Sequence, residues 1–99
     1  MGANQGVKNV PYIACGYQQI TTITTSTALT VPSNASWAMI QCEAQPVRWR
    51  DDGTAPTATV GMMMAVGDIL IYDGTIPNLT ALRFIESTVG AKLNVSYYS

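Results

Sequence analysis

WAMIQCEAQPVRWRDDG, residues 37–53, is the stretch that decides the fold class of this chain. In its first part, Ala38, Ile40 and Cys42 alternate with the residues between them, so each set lines one face of an extended strand. The opposite face would carry Trp37, Met39, Gln41 and Glu43. This alternation predicts a central β-strand over residues 37–45.

The second part of the stretch predicts another strand and a turn. Pro46 ends the first strand because it lacks the backbone N–H that a sheet ladder needs. After it the alternation is strict, which places Val47 and Trp49 on one face and Arg48 and Arg50 on the other. The letters DDG then mark a turn, since glycine accepts a positive φ. We expect Trp49 to point into a core and the two arginines to point outward.

The rest of the chain also has the composition and turn spacing of short β-strands. β-branched residues are frequent, turn signals recur every 8 to 12 residues, and no segment of useful length has helical periodicity. The chain is therefore predicted to be all-β, a small antiparallel β-sandwich that is jelly-roll-like, with seven or eight strands. The other predicted strands cover residues 17–23, 28–31, 47–50, 58–66, 69–72, 81–86 and 92–98.

The last predicted strand, KLNVSYY, has the cleanest alternation in the chain. It places Leu93, Val95 and Tyr97 toward the core and the residues between them toward solvent. Tyr97 and Tyr98 therefore face opposite sides, and at most one of these rings belongs to the core.

Length and local composition divide the chain into an arm and one domain. We expect residues 1–16 to form an extended N-terminal arm and residues 17–99 to form a single β-sandwich domain. Glycines and a proline in the first segment break any alternation. Tyr12 and Ile13 are too apolar for a fully solvated tail, so we expect this part of the arm to lie across a neighbour.

The composition is unusual in its low charge. Charged residues make up 11% of the chain, against about 25% in a typical domain. Hydroxyl and amide side chains take their place, and these cost less to desolvate than ions. The composition suits a surface that is covered on assembly, and it equally suits a neutral threonine-rich β surface. A net charge of −1 argues against nucleic acid as a partner.

Nothing in the sequence indicates a membrane or secretion. The start, MGANQGVKNV, lacks the apolar core of a signal peptide. The longest apolar run, VGMMMAVGDILI, holds about 12 residues, which is too short to span a bilayer, and it includes an aspartate. Cys15 and Cys42 are expected to remain thiols in a reducing compartment, with Cys42 at an inward strand position and Cys15 as a small packing residue.

The residue inventory argues against an enzyme. The chain has no histidine, which removes Ser/His and Cys/His pairs and histidine zinc sites. A glycosidase needs two facing carboxylates, and a chain of 99 residues rarely builds the cleft for them. Asp51 and Asp52 leave a calcium site at the sandwich edge as an alternative, although the spacing of an EF-hand is absent. We expect no catalytic residue, no cofactor and no metal.

Interface residues are therefore the main candidates. Arg48 and Arg50 share an outward face and suit an interface anchor, because arginine is enriched at hot spots. The alternative is a solvated hairpin whose ion pairs contribute little. The candidate interface residues are Arg48, Arg50, Tyr12, Ile13, Trp37 and Met63.

Two of these candidates also have other interpretations. Trp37 opens a strand after a turn, and an exposed ring there, with Tyr98, would suit binding of a sugar. Met62, Met63 and Met64 cannot all be buried in one strand, and exposed methionine suits a protein interface. The alternative for the methionines is a loop that folds over the core.

Three stretches together resemble small β-rich proteins encoded among the virion genes of tailed bacteriophages. They are ALTVPSNASWAMIQCEAQPVRWRDDGTAPT (28–57), VGMMMAVGDILIYDG (60–74) and LRFIESTVGAKLNVSYY (82–98). The resemblance covers roughly residues 28–99, and its most recognisable pieces are PVRWRDDG with the later PT, and LRFIE with the GAKLNVSY ending. Phage β-sandwich proteins of this size are often decoration, or cement, proteins, which sit as trimers on the capsid exterior and stabilise it. Some have an N-terminal arm that grips the shell or a neighbour.

The resemblance implies a non-enzymatic capsid decoration protein. Its expected partners are the major capsid protein and further copies of itself. The resemblance implies that this homo-oligomer is a trimer. Its expected location is the capsid surface of the virion after synthesis in the host cytoplasm. The alternative is a tail or head-fibre module that binds host-surface glycans, and a small hydrolase is a third, weaker option.

Overall fold

A computed structural model of the chain describes residues 13–73 and 76–99. Within these residues the chain forms eight β-strands and one short helix, so the predicted all-β class is confirmed. The elements are β1 (Ala14–Ile20), β2 (Thr27–Ala28), β3 (Trp37–Glu43), β4 (Val47–Arg50), β5 (Met62–Met64), β6 (Ile69–Asp73), α1 (Ile76–Ala81), β7 (Arg83–Glu86) and β8 (Lys92–Tyr98).

The eight strands form two antiparallel four-stranded sheets. Sheet A has the order β1-β8-β3-β6, and sheet B has the order β2-β7-β4-β5. The neighbours β1 with β8, β2 with β7, β3 with β6 and β4 with β5 show that the chain is one long hairpin wound onto itself. This is the order of an eight-stranded jelly roll, which confirms the predicted jelly-roll-like sandwich.

The opening stretch supplies one strand to each sheet. β3 lies in sheet A and β4 lies in sheet B, and only three residues separate them. The crossing turns at Ala44, which has a φ of 75°, while the Gln45 N–H donates to the Glu43 carbonyl at 2.9 Å. This is a γ-turn with a positive central φ, a rare and strained conformation for a residue with a Cβ. It ends β3 two residues earlier than the alternation predicts.

The core lies between the two sheets and consists of the residues that the alternation points inward. From sheet A come Ala38, Ile40 and Cys42 of β3, and from sheet B come Val47 and Phe84, all at most 1% exposed. β8 contributes Leu93, Val95 and Tyr97, as predicted. Trp49 is half-buried and packs against the same core. The predicted inward faces of β3, β4 and β8 are confirmed.

The first strand begins at Ala14, three residues before its predicted start at Tyr17. β1 starts at Ala14 and pairs with β8, with an irregular register between Ala14 and Gly16. In the sequence, Gly16 indicates an irregular arm. In the structure it permits close packing, because a Cβ on Gly16 would lie 2.9 Å from Pro32 Cγ. Residues 1–12 of the predicted arm, including Tyr12, lie outside the described residues.

Helix α1 is not predicted from the sequence, which indicates a loop there. It has six residues, too few to show a helical period. Pro77 is tolerated in its first turn because the missing N–H would have no partner there. Buried Leu79 and Leu82 lie three residues apart and anchor this segment to the core. The Arg83 guanidinium then donates to the Thr80 and Leu82 carbonyls at the helix end.

Candidate functional site

Arg48 is bound to its own chain. Its Nε donates to the Ala58 carbonyl at 3.3 Å, and its Nη1 donates to the Gly61 carbonyl at 2.9 Å. The side chain is half-buried and holds the long loop between β4 and β5 against the outside of sheet B. A planar guanidinium suits two carbonyl acceptors in fixed positions. A contact between Arg48 and a partner stays a prediction, and such a partner would meet donors already engaged.

Arg50 forms an ion pair within the predicted turn. Its Nε donates to Asp52 Oδ1 at 3.0 Å, and its Nη2 contacts the other carboxylate oxygen. The Asp52 hydrogen bond raises the pKa of Arg50, and the same bond lowers the pKa of Asp52. Asp52 Oδ1 also accepts from the Thr54 N–H, while Gly53 has a φ of 86°, as the turn prediction requires. This local pair matches the solvated-hairpin alternative, and its use as an anchor stays a prediction.

Trp49 and Tyr72 close one side of the sandwich. Their rings meet edge to face, with centroids 6.3 Å apart and planes at 85°. The Tyr72 hydroxyl donates to Asp51 Oδ2 at 2.6 Å, and this carboxylate bond is the main cause of the raised pKa of Tyr72. Asp51 therefore links the β4–β5 loop to β6. This contact joins residues far apart in the chain and is not predicted from the sequence.

A shallow groove of about 270 Å³ lies beside this loop, and another of about 160 Å³ lies on sheet A. The first is lined by Arg50, Asp51, Asp52, Val60, Gly61 and Met62. Its arginine and both aspartates already bond within the chain. Within residues 13–73 and 76–99, no three metal-ligating side chains meet in one place. The groove therefore has the form of a contact surface and lacks a set of converging reactive groups.

The outer face of sheet A is a regular surface formed by four paired strands. We use this name for the side chains of sheet A that point away from the core. Its large apolar members are Tyr17, Trp37, Met39, Ile69, Ile71 and Tyr98, and its polar members include Gln19, Gln41, Asn94 and Ser96. Tyr17 is 66% exposed and Ile71 is 51% exposed. Ionised groups are confined to the ends of this face, with Glu43 and Lys92 at one end and Asp73 at the other.

The predicted candidate Trp37 lies at one end of this outer face. Its ring stacks on that of Tyr98, with centroids 4.2 Å apart and planes 15° apart. Each ring therefore covers part of the other, and Trp37 is half-buried. The sequence placed both residues on outward positions, and the sheet register between β3 and β8 brings them opposite each other.

A row of hydrogen bonds crosses the other half of the outer face. Asn94 Oδ1 accepts from the Tyr17 hydroxyl at 2.8 Å and from Gln19 Nε2 at 3.1 Å. Asn94 Nδ2 donates to Glu43 Oε1 at 2.8 Å. These bonds hold polar side chains flat against the sheet, so the face presents a level mixture of apolar and amide groups.

The three consecutive methionines have different surroundings. Met64 is buried, whereas Met62 and Met63 are 59% and 54% exposed. Alternation accounts for Met63 and Met64. Met62 pairs with Trp49 and points to the same side, yet it is exposed because β5 lies at the edge of sheet B. Met63 is thus an accessible apolar residue, as an interface role would need.

Ile13 and the two thiols complete the predicted positions. Ile13 is 74% exposed just before β1, and its carbonyl accepts from the Ser99 N–H at 2.9 Å. Cys42 is buried, its Sγ donates to the Gln45 carbonyl at 3.0 Å, and burial raises the pKa of the thiol. Cys15 is half-buried against the core and unpaired. The thiols have packing positions, as predicted.

The sequence did not predict the exposure of several aliphatic side chains. Val60, Val66 and Ile69 are each more than half exposed, although their strands read as ordinary core-forming segments. Val60 and Val66 lie in the loop and the turn on either side of β5, and Ile69 lies on the outer side of the edge strand β6. The strand ends and the strand order that expose them cannot be read from one sequence. None of the described helices is long and apolar enough to cross a membrane.

Comparison with protein-family models, with curated proteins and with solved structures finds no match for this chain.

Proposed function

We propose that this chain is a non-enzymatic structural protein of a tailed-phage virion, a decoration protein that binds the capsid exterior and stabilises it. Its partner is the major capsid protein, and it reaches the capsid surface after synthesis in the host cytoplasm. The proposal rests on the outer face of sheet A together with the sequence resemblance over residues 28–99.

The outer face of sheet A supports the proposal by its shape and chemistry. A flat sheet with exposed rings and aliphatic side chains offers apolar area to another protein surface. Its ionised groups lie at its ends, so covering the middle desolvates amides and hydroxyls at a low cost. A rigid plate of this kind, laid across the joint between two capsid subunits, adds buried area where the shell is weakest.

The jelly-roll topology is compatible with this proposal, but it does not distinguish a capsid protein from a sugar-binding protein. Jelly rolls build viral capsid domains and also lectin domains. A fold hosts many functions, so the choice between these uses depends on the surface.

Co-sedimentation with purified phage heads tests the proposal. Heads that lack the protein should bind it and gain resistance to heat or osmotic shock. Tyr17→Lys places a charge on the outer face, halfway along the edge strand β1, and should weaken binding at least tenfold, because the lysine must be desolvated. Val89→Lys is the matched control, since Val89 is 81% exposed in the turn between β7 and β8 and lies off this face. A wild-type protein that ignores both empty and filled heads would contradict the proposal.

The second candidate is a tail or head-fibre module that binds host-surface glycans. The stacked pair of Trp37 and Tyr98 favours it, because exposed aromatic rings with polar neighbours offer a platform for a sugar. Trp37→Ala and Tyr98→Ala should then abolish glycan binding while the circular dichroism spectrum stays that of the wild type. A glycan array without signal for the wild-type protein removes this candidate.

A further inference from the structure

Exposed apolar side chains are concentrated on one side of the sandwich. Nine large hydrophobic side chains are exposed in the described residues, and six of them fall within residues 60–71. This segment contains β5, the turn that follows it and most of β6. We call it the β5–β6 edge, and its exposed members are Val60, Met62, Met63, Val66, Ile69 and Ile71.

β5 and β6 lie at the same side of the sandwich, although they belong to different sheets. A tight turn joins them, in which the Asp68 N–H donates to the Ala65 carbonyl at 3.0 Å. Asp68 Oδ2 also accepts from the Ala65 N–H at 2.8 Å. Each strand is the last in its sheet among the described strands, so one side of the molecule presents two open edges joined by a hydrophobic corner.

The backbone of β6 offers hydrogen-bonding groups along this edge. The Cys42 N–H donates to the Asp68 carbonyl at 3.0 Å just before β6 begins. In an antiparallel ladder, alternate residues point their N–H and C=O groups at the partner strand, so Leu70 and Tyr72 bond to β3. The residues whose backbone groups point away from β3 are Ile69, Ile71 and Asp73.

β6 has few of the features that usually protect an edge strand, with a single charge, Asp73, at its end. Natural edges are short, bulged, or carry lysine or proline. β2 and β5 are two and three residues long, and β1 has an irregular register near its start. β6 has five residues, ILIYD, pairs with β3 without a register shift, and contains neither lysine nor proline. Of the described edges, it is the one best suited to accept another strand.

We propose that β6 pairs antiparallel with β6 of a second copy of this chain, about a two-fold axis at Ile71. Ile71 is the midpoint of the strand, so this register pairs all five residues of each copy. Ile71 then faces Ile71 of the second copy, and Ile69 faces its Asp73. The two A sheets become one eight-stranded sheet, and their outer faces become one continuous surface.

The charges of the edge fit this register. Asp73 is the only ionised residue of β6. Antiparallel pairing about Ile71 places the two Asp73 side chains at opposite ends of the new ladder, about 13 Å apart along the strand at roughly 3.4 Å per residue. Like charges therefore do not oppose each other, and the cross-strand pair at the axis joins two β-branched residues, which is a favourable combination.

The exposed aliphatic side chains of β6 lie beside the new ladder. Ile71 meets its counterpart at the axis, and Ile69 of each copy lies across the diagonal from Ile71 of the other, within reach of a long side chain. This inference concerns the isolated chain and does not depend on capsid binding. It makes the basic assembly unit two-fold, whereas the resemblance implies a trimer.

Engineered cysteines test the register directly. In a Cys15→Ser background, Ile71→Cys should give a disulfide-linked dimer on non-reducing gels, because opposed residues of a hydrogen-bonded pair have Cα atoms about 5.5 Å apart, within disulfide range. Ile69→Cys is the matched control. It has similar exposure, but its two copies would lie too far apart to link. Cross-linking of neither variant, or of both equally, would overturn the proposed register.

Light scattering coupled to size-exclusion chromatography tests the dimer without engineered thiols. Ile71→Lys should shift the protein to a monomer, with dimerisation weakened at least tenfold, because two lysines would meet at the axis. Tyr17→Lys, on the opposite edge strand of the same sheet, should leave the dimer intact. A wild-type monomer at about 100 μM, or a dimer insensitive to Ile71→Lys, would overturn the inference, while capsid binding by such a monomer would leave the proposed function standing.

Discussion

Tyr97 is the largest fully buried side chain, and its hydroxyl depends on one partner from another strand. The hydroxyl donates to Gln18 Oε1 at 2.7 Å. Gln18 Oε1 also accepts from the Thr30 N–H at 3.1 Å, and Gln18 Nε2 donates to Thr30 Oγ1. The amide of Gln18 thus ties β1 to the segment after β2 and satisfies a polar group inside the core.

Removing Gln18 should cost more than removing the hydroxyl that it binds. Gln18→Met leaves the Tyr97 hydroxyl buried without an acceptor, which should lower the free energy of unfolding by about 1–3 kcal/mol. Tyr97→Phe removes the hydroxyl itself and should cost about 1 kcal/mol. In urea denaturation the double variant should lose less than the sum of the two single losses, although the Gln18 bonds to Thr30 are lost in both backgrounds. Full additivity of the two losses would contradict the coupling.

Tyr97 also predicts how stability depends on alkaline pH. Burial raises its pKa from 10.0 to about 12. Because the folded-state pKa is the higher one, the folded chain holds the proton more tightly, and this contribution is complete below pH 10. It is lost as the pH rises toward 12, by about 2–3 kcal/mol at most. Urea midpoints between pH 9 and 11.5 should fall less steeply for Tyr97→Phe than for the wild type, and parallel curves would contradict the assignment.

At the scale of an element, the γ-turn between β3 and β4 stores strain. Ala44 adopts a φ of 75°, which costs an L-residue about 1–2 kcal/mol. Ala44→Gly relieves this cost and loses about 0.5–1 kcal/mol of chain entropy, so the free energy of unfolding should rise by about 0.5 kcal/mol. Ala58→Gly is the control at an exposed alanine without positive φ, and it should lower stability by about that amount. A stability loss for Ala44→Gly would show that the turn is unstrained.

The β4–β5 loop depends on Arg48 and hardly on Arg50. Arg48→Ala removes the donor to the Gly61 carbonyl and one of the two donors to the Ala58 carbonyl, which keeps the Ser87 hydroxyl. It should cost about 0.5–1.5 kcal/mol, with faster proteolysis inside residues 51–61. Arg50→Ala removes a local pair and should change the thermal midpoint little. Limited proteolysis with mass spectrometry reads the loop directly. Equal protection of both variants would contradict the role of Arg48.

The inward and outward residues of a strand could be predicted where one face of its sheet is buried and the other is solvated. In β3 and β8 the alternation is carried by side chains that truly divide between core and surface, so the inward residues follow from the letters. Two segments were predicted wrongly, the start of β1 and helix α1, and local alternation is not the cause. Gly16 enters a strand because Pro32 packs against it, and six residues of α1 are too few for a period, so tertiary contacts decide both segments.

At the scale of the whole molecule, the candidate surfaces were only partly predictable. Alternation placed Trp37 outward, but it left open whether Met63 or its two neighbours are exposed. The exposure of Val66 follows from the turn between β5 and β6, that of Ile69 from its place on the edge strand, and the engagement of Arg48 from a loop ten or more residues away. Which edge lies open is a property of the assembled sheets, so it could not be read from any local stretch.

The strand order also predicts slow folding. Most strand pairs join distant residues, and β1 pairs with β8 across almost the whole described chain. Loop-closure entropy must be paid before such contacts stabilise anything, so refolding should take milliseconds to seconds. Stopped-flow fluorescence of the half-buried Trp49 would follow it. Refolding within tens of microseconds would contradict a transition state built on long-range pairing.

The central place of β8 in sheet A sets a time for folding during synthesis. β8 lies between β1 and β3, so until Tyr98 has been translated β1 lacks its neighbour among the described strands and β3 has β6 alone. Before that point the ribosome holds a chain with an exposed first strand and an unclosed hydrophobic layer. The fold is therefore completed after the final strand emerges, and chaperones that shield apolar segments of nascent chains have this whole interval in which to act.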